Sequence, residues 1–89
     1  MDKDAINKRF GIVVEYLLNS GITRSKSEIS DTLGVSPSKF SEILKERMNV
    51  SADLLASVIS AYTMISPSWL LTGEGPMLKA DSDGEVKAS

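Results

Sequence analysis

The sequence predicts a compact all-α domain of five helices, and three observations carry that expectation. Apolar residues recur three and four positions apart along successive stretches up to Leu71, as they do on the buried face of an amphipathic helix. Capping serines precede four of these stretches, at Ser25, Ser36, Ser51 and Ser66, and two of the four are followed by proline, the residue best suited to a first helical turn. Glycines at Gly21, Gly34 and Gly73 stand where stretches stop. At 89 residues the chain can bury one modest core, and no internal repeat relates its helices, so a bundle is expected rather than a solenoid.

Taken in order, residues 1–20 form one helix started by Asp2 or Asp4, with Ile6, Phe10, Val13, Val14 and Leu17 on its inner face and Gly11 weakening it slightly. Lys3, Lys8 and Arg9 can reach a phosphate backbone or serve only as a solvated helix face. Ile22 and Thr23 lead into two short helices spanning 25–45. Ser25 and Glu28 form a capping box, Ile29 and Leu33 lie four apart, and Gly34 takes the left-handed conformation that ends a helix. Ser36 caps the next helix, Pro37 opens it, and Phe40, Ile43 and Leu44 form its inner stripe. Ser30 is small enough for the two helices to cross closely. A small residue, glycine four later, and apolar residues six and nine beyond that make a helix-turn-helix arrangement.

After Lys45 comes a loop, 46–50, in which Met48 and Val50 are expected to pack inward. Ser51 caps a fourth helix, Asp53 complements its dipole, and Leu54, Leu55, Val58, Ile59 and Tyr62 form its core stripe. Ser66-Pro67 opens a fifth helix through Trp69, Leu70 and Leu71; two of these three are expected in the core and one partly exposed, where it would serve a two-fold interface. Met77 and Leu78 are expected to fold back on the core. The domain thus spans 1–78, and 79–89, polar and apolar-poor, reads as a flexible tail or the start of a linker.

Composition narrows the function. The chain has no cysteine and no histidine, which removes disulfides, thiolate metal sites and the commonest acid–base catalyst. No apolar run is long enough for a membrane span and no signal peptide precedes the first helix. Gly73-x-Gly75 is too short a match to a phosphate-binding loop. A cytoplasmic protein that is not an enzyme, with no cofactor and no small-molecule substrate, is expected. The net charge is −2, but its distribution is uneven: residues 1–50 hold eight Lys/Arg against seven Asp/Glu, and the remainder two against five. Lys26, Lys39, Lys45 and Arg47 cluster in or beside the two-helix unit, so the local sign there is positive.

The stretch S-E-I-S-D-T-L-G-V-S-P-S-K-F-S-E-I-L-K and the later W-L-L-T-G-E-G-P-M at Trp69–Met77 resemble the phage-repressor (lambda repressor-like) class of helix-turn-helix regulators, over roughly residues 5 to 78. That resemblance implies a five-helix domain that binds double-stranded operator DNA as a homodimer and represses transcription. Many larger relatives continue into a linker and a self-cleaving domain; a short complete regulator and a truncated one are both compatible with the sequence.

In such a fold the second helix of the unit enters the major groove. That nominates Pro37, Ser38, Lys39, Ser41 and Glu42 at base edges: hydroxyls that donate or accept, a lysine for guanine O6/N7 or phosphate, and a carboxylate for a cytosine amino group. Pro37 offers only an apolar contact. Lys26 and Ser27, at the start of the first helix, and Lys45 and Arg47, past the end of the second, would hold the flanking backbone. Ser36 is a cap first and a phosphate contact second. Glu42 could instead pair with Lys39 or Lys45. The alternative function is a protein-interaction module, anti-repressor or antitoxin-like, that keeps the fold without strong DNA binding; the acidic balance, Pro37 and Glu42 lean that way.

Overall fold

Asp2 lies in extended backbone, and its Oδ1 accepts from the amides of Asp4 (3.1 Å) and Ala5 (3.2 Å), so the first helix, α1 (Lys3–Asn19), begins on that carboxylate. The computed structural model describes residues 2–80; the expected tail lies, from Asp81 onward, outside the described residues. α2 (Lys26–Leu33), α3 (Pro37–Leu44), α4 (Ala52–Ala61) and α5 (Pro67–Thr72) follow. Ser25, Ser36, Ser51 and Ser66 cap these four as the sequence predicts, each Oγ accepting from the amide three residues on. Among the described residues there is no strand, only a one-residue antiparallel bridge between Ile65 and Leu78, and no helix is long and apolar enough to cross a membrane. The domain is compact and all-α.

α1 forms the backbone of the core. Ile6, Phe10, Val13, Val14 and Leu17 are all buried, in one core with Ile29 and Leu33 of α2, Phe40 and Ile43 of α3, Leu54, Leu55 and Val58 of α4, which packs on α2, and Leu70 of α5. The Phe10 and Phe40 rings stand edge to face with centroids 5.9 Å apart, fixing α3 against α1. Ser30 is fully buried between helices, its hydroxyl donating to the Ser27 carbonyl (3.0 Å), which removes the cost of burying it.

Three packing expectations are corrected. Met48 is 42% exposed, because its backbone rather than its side chain is what the core holds: the Asn7 amide donates to the Met48 carbonyl (2.7 Å). Of Trp69, Leu70 and Leu71, only Leu70 is fully buried; the other two are half-buried and pack against the core from its edge, since consecutive residues of a helix point about 100° apart. The capping box at α2 is skewed. Ser25 Oγ accepts from the Glu28 amide (3.2 Å), but Glu28 Oε2 accepts from the Arg24 amide (3.3 Å), one residue before the cap. Val50, Met77 and Leu78 are half-buried and pack against the core as expected.

Candidate nucleic-acid interface

α2 and α3 are joined by three residues, Gly34–Ser36. Gly34 adopts φ 70°, ψ 30°, and the Val35 amide donates to the Ser30 carbonyl (3.0 Å), a left-handed closure that turns the chain sharply at little cost in glycine. Ser36 Oγ then accepts from the Lys39 amide (3.2 Å) and Pro37 occupies the first turn of α3.

This turn brings the start of α2 alongside the outer surface of α3. Lys26, Ser27, Pro37, Ser41 and Lys45, five of the residues nominated from sequence, line one groove of about 300 Å³ floored by Ser30, Phe40 and Leu44. Lys39 lies elsewhere. It borders a separate groove of about 270 Å³ toward α4, with Asp53 and Ser57 on the opposite wall. At 3.6 residues per turn, Ser38 and Glu42 fall on the ridge between the arc of Pro37 and Ser41 and that of Lys39. Ser36, Ser38 and Lys45 are exposed; Ser41 and Glu42 are half-buried.

The amides of Lys26 and Ser27 have no protein acceptor among the described residues, as expected for the free donors of a first helical turn. With the Lys26 ammonium they give the α2 end of the groove its positive character. At the α3 end Lys45 adds a second positive group, and the charge-balanced pair lies outside the groove, on the ridge. Arg47 Nη1 donates to Glu42 Oε2 at 3.4 Å, so Glu42 pairs with neither Lys39 nor Lys45. This happens because α3 ends on a left-handed residue that is not glycine. Glu46 has φ 61°, its amide donates to the Ile43 carbonyl (3.0 Å), and the Arg47 amide donates to the Glu42 carbonyl (2.9 Å), a Schellman closure that returns Arg47 over Glu42.

Two polar residues of α1 outside the nominated set tie it to later segments, one beside this region and one at the far end of the domain. Asn7 of α1, almost fully buried, donates to the Met48 carbonyl and accepts from the Val50 amide (3.0 Å), tying the loop after α3 to α1. Its signal in the sequence was its position, three residues before Phe10 and seven before Val14, on the inner face of α1. Arg9 is the other. Its Nε donates to the Leu70 carbonyl (2.8 Å) and Nη2 to the Leu71 carbonyl (3.0 Å), so it closes the C-terminal end of α5 instead of extending as a free cation.

Comparison with protein-family models, with curated proteins and with solved structures returns no match to this chain.

Proposed function

We propose that the protein is a cytoplasmic, sequence-specific DNA-binding transcriptional regulator of the phage-repressor type, with α2 and α3 as its helix-turn-helix. One observation carries the reading: the Gly34 turn sets the amide-rich, Lys26-bearing start of α2 on the same groove as the outer face of α3. In this reading α3 lies in the major groove, where Ser38 and Ser41 reach base edges and Pro37 meets an apolar surface such as a thymine methyl. Lys26 and the free amides near Ser27 hold one flanking phosphate, Lys45 another, and Lys39 a third from the α4 side. A homodimer places two such surfaces on a palindrome, and the half-buried Trp69 and Leu71 are its candidate contact.

Selection of bound sequences from a random DNA pool tests this directly. A palindrome with half-sites about 10 base pairs apart, or a multiple of that, is expected; a pool that shows no enrichment would sink the reading. Titration against salt sharpens it. Three free lysines per subunit neutralise about six phosphates in a dimer, so log affinity should fall with log salt at a slope near −5. With Arg47 fully engaged as well, the slope approaches about −7. A slope near zero contradicts the contact model.

The Glu42–Arg47 pair, together with the overall charge of −2, favours a second reading, a protein-interaction module that keeps this fold. Unchanged partner binding after replacement of both Lys39 and Arg47 by alanine, with no measurable DNA affinity in the parent protein, would support it.

A further inference from the structure

Resting on the DNA-binding reading above, we infer that Arg47 is a positioning residue for Glu42, and that the pair selects a base carrying an amino group in the major groove. Glu42 stands on the outer ridge of α3, the element that would approach the bases. A carboxylate there is repelled by every phosphate and by guanine O6/N7 and thymine O4. The major-groove groups that can donate to it are the cytosine N4 and adenine N6 amino groups. An unrestrained glutamate would swing away from DNA; one guanidinium hydrogen bond from Arg47 opposes this, and a backbone bond from the same residue places the guanidinium there. The Arg47 amide holds the Glu42 carbonyl (2.9 Å) and its guanidinium Nη1 holds Glu42 Oε2 (3.4 Å). Among the described residues no donor reaches Glu42 Oε1, which leaves that oxygen for the base.

The Arg47 backbone is itself fixed from both sides. Glu46 accepts a left-handed conformation to bring the chain back over α3, and Asn7 anchors Met48 and Val50 just beyond. One guanidinium nitrogen faces the carboxylate, and the remaining N–H groups can still meet a phosphate. Arg47 therefore differs from Lys26 and Lys45. Their loss should weaken all sequences alike, whereas loss of Arg47 should blur one position of the site.

The test is selection from a random pool, followed by affinity measurements on single-base variants of the site, for the parent protein and the E42A, R47A, R47K and E42A/R47A variants. Both side chains are substantially exposed, so the thermal midpoint of each variant should stay close to the parent's. The parent should prefer cytosine or adenine over guanine or thymine at one position per half-site by about fivefold or more. E42A and R47A should each flatten that position and leave the others intact, the double variant should match E42A there, and R47K should restore part of the preference.

Three results overturn the inference. The first is an E42A variant that keeps every positional preference of the parent. The second is an R47A variant that loses affinity equally for all sequences while its salt slope falls by about 1 per subunit, the behaviour of a plain phosphate contact. A parent protein with no sequence selectivity removes this inference and the DNA-binding reading together, and only that result does so.

Discussion

The α2–α3 unit and the segment from Met64 to Lys79 are both short and both punctuated by left-handed glycine, but only the second also takes a side chain from a distant helix. Most of the stops and starts in the α2–α3 unit are made by residues within five positions of one another: Ser25 with Glu28, Gly34 after Leu33, Ser36 with Lys39, and Arg47 with Glu42. The later segment adds a distant partner to its local ones. Gly73 (φ 79°) closes α5 with its amide donating to the Trp69 carbonyl (2.8 Å), and Arg9, more than 60 positions earlier in the chain, donates to the Leu70 and Leu71 carbonyls. The returning chain is held by the Ser66 amide donating to the Met77 carbonyl (2.7 Å) and the Lys79 amide donating to the Met64 carbonyl (2.9 Å). Local closure gives the candidate interface a shape that its own residues enforce. The remote bonds of Arg9 tie the far end of the domain to α1.

That contrast makes the largest stability effect fall on a residue remote from the interface. Arg9→Ala should cost about 2 kcal/mol, because it strands two carbonyls that accepted from a charged donor. Arg9→Lys should rescue little, since an ammonium cannot reproduce the two-pronged geometry. Urea titration of both variants measures this, and a cost below about 0.5 kcal/mol would mean that the local Gly73 closure of α5 suffices without Arg9.

The two left-handed positions in the α2–α3 unit should then move stability in opposite directions. Gly34→Ala should cost about 1 kcal/mol, the strain of a Cβ at φ 70°, even though that Cβ would meet nothing within 4 Å. Glu46→Gly should gain about 0.5–1 kcal/mol by relieving the same strain at φ 61°. Thermal melts under one buffer compare all of these. A Gly34→Ala loss larger than that of Arg9→Ala would reverse the contrast between the two regions.

Much of the fold was legible because it rests on near neighbours. The stripe Ile6, Phe10, Val13, Val14, Leu17 and the pairs Ile29–Leu33 and Phe40–Ile43 are spaced as one helical face must be, and all are buried. The serine caps were readable for the same reason, since each acts only three residues ahead. Met48 was misjudged because a loop has no period: its apolar side chain suggested burial, but the interaction that holds it runs through its carbonyl. Of Trp69, Leu70 and Leu71, two were expected in the core and only Leu70 is fully buried, because consecutive residues of a helix point about 100° apart.

The candidate site divides in the same way. Helical spacing alone puts Pro37, Ser38, Ser41 and Glu42 on the outside of α3, opposite Phe40 and Ile43. That Lys26 and Ser27 share a groove with Pro37 and Ser41 depends on how α2 crosses α3, and that Lys39 turns toward Asp53 depends on where α4 packs.

The sequence by itself determined where helices start, stop and turn their apolar faces, because capping, glycine conformation and side-chain period act over a few residues. The tertiary structure decided which polar groups answer one another across the domain. Asn7 and Arg9 were free to face solvent in an isolated α1; only the packed chain brings them to backbone groups 41 to 62 positions away.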